Sequence, residues 1–410
     1  MQDGARRWLC IAACFGAASC ASDPRDLASS EAEIRAGQRY DSDAAYRRGE
    51  LVDSLVNPEN GYSQLRLFRY TDSGWGALPE WNPRTSPVHI PSREPPAISS
   101  GTWARLAIED VPWERDALLE LGREAFFHYP VQLFQPLSGV IGGSRSPSYG
   151  FWTEGSRLGG TVWAELPSGE VAPFLTCAGC HASRESDRTI AGKNNADLDL
   201  EAAAADYYEG RAVVTSSGRA GRLDVTEDGL DNPAGITDLR AVRSQRHLHR
   251  AATLRNGLIP LAIRIETLLI TALEESVRPP RKLAFAVALY LWNLETEPLS
   301  EPSSLSARGK TLFDQSCAGC HAPPRFSGPS VALEVVGTDR SVGDSPERST
   351  GSYRVPSLRG VGDRKRLLAN GAVLDVRELL DPARLAAGHR YGDALLPGQR
   401  DALLSYLSTL

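Results

Sequence analysis

The sequence predicts a mainly α-helical protein whose body consists of two tandem helical modules with long loops, preceded by an irregular N-terminal strap. Three observations predict it. Apolar residues recur with helical period in several segments. The pentapeptide Cys-Ala-Gly-Cys-His occurs twice, each time behind a helical pattern. The composition, 41% hydrophobic and 23% charged over 410 residues, is that of a globular chain long enough for two or three domains. Lys plus Arg number 45 against Asp plus Glu 51, a net charge of -6. That balance lacks the basic surplus nucleic acid demands, so no nucleic-acid partner is expected.

Residues 1–20 read as a signal peptide. Arg6 and Arg7 precede a short apolar run from Trp8 to Ala18, and Ala17-Ala18-Ser19-Cys20 offers small residues for cleavage, the order of an export signal. The run falls short of the roughly 20 apolar residues a membrane-spanning helix needs, and no other segment approaches that length. No transmembrane span is expected. Cys20 stands where a lipoprotein signal carries its lipidated cysteine, although Ala17 replaces the usual Leu. A lipid anchor at Cys20 and simple release therefore both stay open. Either route takes an exported bacterial protein to the periplasm, free or membrane-anchored and facing it.

Residues 21–104 form the irregular extension, marked by Asn57-Pro58, Asn82-Pro83, Ser86-Pro87 and Glu94-Pro95-Pro96. Trp75, Trp81 and Trp103 in this stretch read as a strap packed across a domain surface. The first module spans 105–298. Its opening helix puts Leu118, Leu121, Ala125 and Phe126 on one face and stops at Tyr129-Pro130. Two apolar helices close it, one through Leu261, Ile265 and Leu269, the other from Leu283 to Leu294. Glu297-Pro298-Leu299-Ser300-Glu301-Pro302 is a linker. The second module, 303–410, opens with a helix from Ser306 through Leu312-Phe313 and ends on an amphipathic helix from Pro397. A repeat supports duplication: Leu239-Arg240-Ala241-Val242 matches Leu358-Arg359-Gly360-Val361, each after its own pentapeptide.

Of seven cysteines, Cys10, Cys14 and Cys20 belong to the signal. The other four are Cys177, Cys180, Cys317 and Cys320, followed by His181 and His321. In C-x-x-C-H the thiols add to the two haem vinyl groups and the histidine supplies an axial nitrogen from the same turn. A zinc ribbon wants its pairs within about 15–20 residues of each other, and these begin at 177 and 317. A thioredoxin-like pair leaves the histidines unexplained. Two covalently attached haem c groups are the expected cofactors, with iron as the metal, and the fold class becomes two tandem cytochrome c-type haem domains.

The sequence resembles the di-haem cytochrome c peroxidase and methylamine-utilisation (MauG-like) superfamily, with its rubber oxygenase-type relatives. Leu121-Gly122-Arg123-Glu124-Ala125-Phe126-Phe127, Gly309-Lys310-Thr311-Leu312-Phe313, Tyr353-Arg354-Val355-Pro356-Ser357-Leu358-Arg359-Gly360-Val361 and Gly388-His389-Arg390-Tyr391-Gly392 carry the resemblance. It implies two helical cytochrome c folds with haems in electronic contact, one relaying electrons and the other, in catalytic members, meeting peroxide or dioxygen.

The single methionine is Met1, so no thioether is available for the far side of either iron, unlike relatives with a His/Met haem. Imidazole in its place lowers the reduction potential. His389, in a glycine-flanked loop before the last helix, is the expected distal ligand of the second iron, with Tyr391 as the alternative. Relatives often carry a histidine after the Leu-Arg-Gly-Val motif, but this chain has Leu368-Ala369-Asn370-Gly371 there. For the first iron the expectation falls on His249 in His247-Leu248-His249, which follows His181 at the same separation as His389 follows His321. His128 reads as a packed aromatic-cluster histidine and His89 as part of the strap. Arg240, Arg354 and Arg359 suit haem propionates, for which a guanidinium fork is shaped, and the resemblance adds to Arg354 and Arg359.

Two functional readings follow. In one, the protein is an electron-transfer cytochrome with both irons six-coordinate. In the other it is a di-haem peroxidase- or oxygenase-type enzyme with one iron open, and Glu124, His247 and His249 are the acid/base candidates. The expected partner is a redox protein such as a small cytochrome or a copper protein.

Overall fold

The computed structural model describes residues 30–410 except residue 93 and residues 142–148, 210–218 and 225–229. The signal reading, with Cys10, Cys14 and Cys20, lies outside the described residues. Among those residues, no helix is long and apolar enough to cross a membrane.

The N-terminal extension is not an irregular strap. It forms helices α1 (Ser30–Ser42), α2 (Ala44–Ser54) and α3 (Gly61–Arg69). Asp43 accepts from Tyr46 N to cap α2, and Asn60 accepts from Ser63 N to cap α3. Hydrophobic periodicity misses these helices because their buried faces carry Glu33, Arg47 and Arg66 beside Tyr40, Leu51 and Tyr62. The polar members are satisfied internally. Arg47 donates to the Tyr40 and Asp41 carbonyls, and Arg66 to Thr267 Oγ1 and the Tyr62 carbonyl. Trp75 and Trp81, on the connection that follows, are buried.

After β1 (Thr85–His89) the chain enters α4 (Arg115–His128), close to the expected helix. Then come β2 (Gln132–Leu133), α5 (Pro136–Ile141), β3 (Thr153–Glu154), β4 (Arg157–Glu165) and β5 (Val171–Leu175). These strands make an antiparallel sheet in the order β1-β4-β5-β2, with β3 on β4, which the sequence reading lacks. β4 is buried along nearly its whole length, so the polar-apolar alternation that signals a half-buried strand is missing. The sheet delivers the chain through Thr176 into the one-turn helix α6 (Cys177–His181), followed by the hairpin β6 (Ala182–Glu185) and β7 (Arg188–Ala191). Beyond α7 (Leu200–Glu209), short pairs β8 (Arg222–Leu223) with β9 (Ala234–Gly235) and β10 (His247–Leu248) with β11 (Leu254–Arg255) lead to α8 (Leu258–Ala272) and α9 (Arg281–Trp292).

A carboxylate at the centre of this half ties the N-terminal helices to it. Glu266 on α8 is 1% exposed. It accepts from Tyr40 at 2.8 Å, Tyr70 at 2.5 Å and Arg281 at 3.0 Å. A buried charge is tolerated only when paired and hydrogen-bonded in this way.

The second half is smaller. α10 (Ser304–Ser316) opens on a capping box from Ser303 and Ser306. Then β12 (Gly328–Ala332), α11 (Leu333–Val336), α12 (Ser341–Asp344), β13 (Ser352–Val355) and α13 (Val376–Leu379) lead to α14 (Pro397–Leu407).

One packing device occurs twice. α4 crosses α9, and α10 crosses α14. At the first crossing Gly122 lies against the Ala286 carbonyl and the Tyr290 side chain; at the second Gly309 lies against the Ala402 carbonyl and the Tyr406 side chain. A methyl group at either glycine would overlap the carbonyl oxygen. Next to each glycine an aromatic pair fills the crossing: Phe126 with Tyr290 at 5.7 Å and 57°, Phe313 with Tyr406 at 5.3 Å and 58°. Within the loops, the pairing of Leu248 with Leu254 recurs as that of Leu367 with Val373. The next residue, His249 or Leu368, takes a positive φ of 61° or 66°.

Candidate functional site

α6 is held against β4 by a close approach of glycines. Gly160, at φ 69°, has no room for a side chain because Gly179 abuts it, and Thr176 N donates to the Gly160 carbonyl at 2.9 Å. Asn195 clamps the other side, its backbone N–H donating to Cys180 O and its amide to Gly179 O. Within this clamp His181 Nδ1 lies 2.9 Å from the Thr237 carbonyl. An Nδ1–H donated to a carbonyl leaves Nε2 as the free, electron-rich nitrogen, the arrangement in which histidine binds a metal.

The second pentapeptide is built alike. His321 Nδ1 lies 3.0 Å from Pro356 O and 3.3 Å from Phe326 O, and Ser327 Oγ donates to the Val355 carbonyl beside it. Burial, with the neighbouring His389 adding to it, lowers the His321 imidazole to about 4. Burial also lowers His181. Both rings are therefore neutral near pH 7, as a metal ligand must be. All four cysteines are free of disulfides. Burial raises Cys177 and Cys180 to about 12 and Cys317 to about 11, while Cys320 is exposed.

The sharpest geometry belongs to His389. Its ring centre lies 6.4 Å from that of His321, at 68° between planes. A metal–imidazole nitrogen bond is roughly 2 Å and the ring centre about 1 Å further, so two imidazoles on opposite sides of one ion have centres about 6 Å apart. The His321–His389 spacing fits an iron shared in this way. His389 is fixed by its backbone N–H to Val336 O and by Arg384, which donates to its carbonyl. Tyr391 packs edge-on against His389 at 5.2 Å and is exposed.

Residues 306–410 match the family model of cytochrome c. This stretch is a cytochrome c domain. Such a domain implies covalently bound haem c. No curated protein matches the chain. Among solved structures, a MauG-like protein associated with microbial copper homeostasis is similar at 16% identity and a TM-score of 0.24, over 32% of this chain and 56% of that one. Hydrazine synthase of Kuenenia stuttgartiensis is similar at 14% identity and a TM-score of 0.37, over 77% of this chain and 100% of that one. The chain thus spans little more than half the length of the MauG-like protein.

The cytochrome c domain shares a cationic boundary with the first half. Burial, with Arg250 and Arg364 adding to it, lowers Arg354 to about 9, and burial with Arg364 lowers Arg250 to about 10. Arg250 donates to the Gly235 and Leu368 carbonyls. The Arg354 guanidinium has no hydrogen-bond or ion-pair partner among the described residues. A half-buried cation without an anion fits a haem propionate. Arg240 and Arg359 are engaged elsewhere. Arg240 is held by Asp238 and Asp363, and Arg359 is exposed, donating to the Pro324 carbonyl.

The first half departs from the sequence expectation at His249. Its Nε2 accepts from Arg264 Nε at 2.6 Å and its Nδ1 lies 3.3 Å from Arg348 Nη1. Arg264 Nε thus occupies the ring's one accepting nitrogen, the one a metal would need, and Arg348, which can only donate, sits beside an Nδ1–H without bonding it. The equal separations of His249 and His389 from their pentapeptides do not reflect equivalent places, since the counterpart of His249 is Leu368. Of the other candidates, Glu124 pairs with Arg123 and His128 along the flank of α4. His128 also meets Arg157 at 3.1 Å, and His89 meets Ser156 on the surface. His247 is half-buried on β10. Sequence reasoning missed Arg264, Asp238 and Glu266, whose signal was a charged residue inside an apolar pattern.

The buried histidines make the fold acid-sensitive. Burial, then Arg348 and Arg264, holds His249 well below its ordinary value, and burial lowers His128 and His247 too. A folded pKa below the unfolded one means that the unfolded chain binds more protons as pH falls through about 6.5, so stability drops there. The slope is about 1.4 kcal/mol per pH unit for each such histidine. The melting temperature is expected to fall between pH 7 and pH 5, and less steeply in His249→Gln. Equal slopes in the two proteins would refute this assignment.

Proposed function

We propose that the protein is an exported di-haem c-type cytochrome that transfers electrons through two covalently bound haems. Cys177, Cys180, Cys317 and Cys320 attach them, His181 and His321 are the proximal ligands, and His389 closes the second iron. The observation that carries this reading is the 6.4 Å spacing of the His321 and His389 rings. The repeated helix crossing and the resemblance to the di-haem peroxidase superfamily support a haem domain in each half. Bound haem supplies one-electron chemistry at low potential when both axial ligands are imidazoles. The chain orients the imidazoles through Thr237, Phe326 and Pro356 and balances propionates through Arg354. A small cytochrome or copper protein is the expected partner, met in the periplasm or at a membrane to which Cys20 anchors the chain.

A second reading is favoured by one observation. His249 lies beside Arg264 and Arg348, and among the described residues His181 has no ring contact like that of His321 with His389. An iron at His181 with its far side open would take peroxide or dioxygen, and the cationic Arg264, whose charge acts on His181, suits charge stabilisation there. Pyridine haemochrome analysis is expected to give two haems c per chain. The ferric EPR spectrum then divides the readings: two low-spin signals support the relay, and a high-spin component shifted by cyanide supports the enzyme. No covalent haem would overturn both.

A further inference from the structure

A buried network of charges joins the backbone segments that orient the two proximal histidines. On the first side, Thr237, whose carbonyl meets His181, is followed by Asp238. The Asp238 carboxylate accepts from Arg240, with Nη2 at 2.6 Å and Nε at 3.1 Å from Oδ2. Arg240 then reaches into the second half, donating to Asp363 Oδ1 at 2.8 Å and Oδ2 at 3.0 Å. Lys193 Nζ adds a contact to Asp363 at 2.7 Å and pairs with Glu185. On the second side, Arg364 follows Asp363. Its Nε lies 4.0 Å from Asp238 Oδ2, and it donates to the Ser357 carbonyl at 2.8 Å. Ser357 follows Pro356, whose carbonyl meets His321. Gln245 closes a parallel link by accepting from Ser357 N at 3.0 Å.

The members are largely shielded from solvent, with side-chain exposures of 1% for Asp238, 6% for Arg240 and Lys193, 10% for Arg364 and 18% for Asp363. Burial works to raise the Asp363 carboxyl, and hydrogen bonds from Arg240 and Lys193 overcome it, leaving it ionised below the usual carboxylate range. Apolar residues of similar volume would join the halves as well, because buried ion pairs rarely add net stability. Charges do something apolar contacts do not: away from water their field falls off only with distance, so groups placed between two redox centres act on both.

We propose that the Asp238–Arg240–Asp363–Arg364 network, with Lys193, makes the two haem sites one electrostatic unit and sets their reduction potentials together. None of these side chains touches His181 or His321; they act on both sites through their field. The inference rests on the di-haem reading. Removing the negative charge in Asp363→Asn favours the electron-rich reduced form at both sites, and removing the positive charge in Lys193→Met favours the oxidised form at both.

The test is a spectroelectrochemical titration of holoprotein, with haem content and circular dichroism measured on each variant. Asp363→Asn is expected to raise the reduced-to-oxidised ratio of both haems, at fixed applied potential, by roughly three- to tenfold. Lys193→Met, which leaves the Asp–Arg pairs standing, is expected to lower both. A variant with two haems and native circular dichroism in which only one potential moves, or neither, overturns the network and leaves the di-haem reading intact. Fewer than two haems in the unmodified protein overturns that reading, and this inference with it. If Asp363→Asn loses haem, opposite or one-sided shifts in Lys193→Met still refute the proposal.

Discussion

His389→Ala is expected to convert the second haem from low spin to high spin while leaving covalent attachment at Cys317 and Cys320 unchanged. The ring of His389 faces His321 at a spacing suited to one iron between them, and no methionine exists in the chain beyond Met1. Removing the imidazole leaves water or Tyr391 as replacements. The fold should survive, because the loop is held by the backbone bond from His389 N to Val336 O and by the Arg384 guanidinium, which donates to the Gly388 and His389 carbonyls. The potential should also rise, since a nitrogen donor that favours ferric iron is lost. Ferric absorption and EPR spectra read the spin state directly, and imidazole added to the variant should restore the low-spin signal. An unchanged spectrum would remove His389 from the iron. Tyr391→Phe provides the contrast: as an exposed neighbour packed on the ring, it should leave the spin state alone.

The expectation at His389 rests on its glycine-flanked loop just before the last helix, and the structure sets that ring beside His321. At His249 the equal separation from its pentapeptide suggests an equivalent place, whereas the fold sets that ring beside Arg264 and Arg348. No pattern in the chain announces that Arg264, on an apolar helix, turns back to occupy its Nε2. The helices of both modules, α4, α8, α9, α10 and α14, are legible because their apolar stripes are clean. α1, α2 and α3 are not, because Glu33, Arg47 and Arg66 interrupt the stripe and are satisfied only by partners elsewhere in the fold. Asp43 and Asn60 cap α2 and α3, but a cap residue without a clean apolar stripe behind it does not announce a helix. β4 escapes for the opposite reason, being buried on both faces and without alternation.

With haem held as proposed, reduction potential and axial ligation would be linked through backbone carbonyls rather than side-chain acids. Thr237, Phe326 and Pro356 each meet a proximal imidazole through a main-chain oxygen. A neutral carbonyl draws the Nδ1 proton less strongly than a carboxylate, so the imidazole keeps less anionic character. Charge is supplied one step further out, at Asp238 and Arg364. Ring orientation and local field are thus set by different residues, and substitution at Asp363 changes the field without touching a hydrogen bond to either histidine.

The largest expected effect on folding is at the helix crossings. Gly309→Ala should destabilise the second half, although alanine is favoured over glycine inside a helix by about 1 kcal/mol. The added methyl would overlap the Ala402 carbonyl oxygen and crowd Tyr406. Backbone is on the receiving side, so no side-chain rotation relieves the overlap, and α10 and α14 must separate. Overpacking of this kind costs typically 1–3 kcal/mol, and separation also loosens the contact of Phe313 with Tyr406. Gly122→Ala should act likewise on α4 and α9 through the Ala286 carbonyl and Tyr290. Gly49→Ala supplies the internal control: it lies within α2 with nothing near the added methyl, and should be stabilising by up to about 1 kcal/mol. Denaturant melts of the three variants give the comparison, destabilised at 309 and 122 and stabilised at 49. Should Gly309→Ala behave like Gly49→Ala, α10 and α14 do not cross as closely as described, and the likeness between the two halves loses its main geometric support.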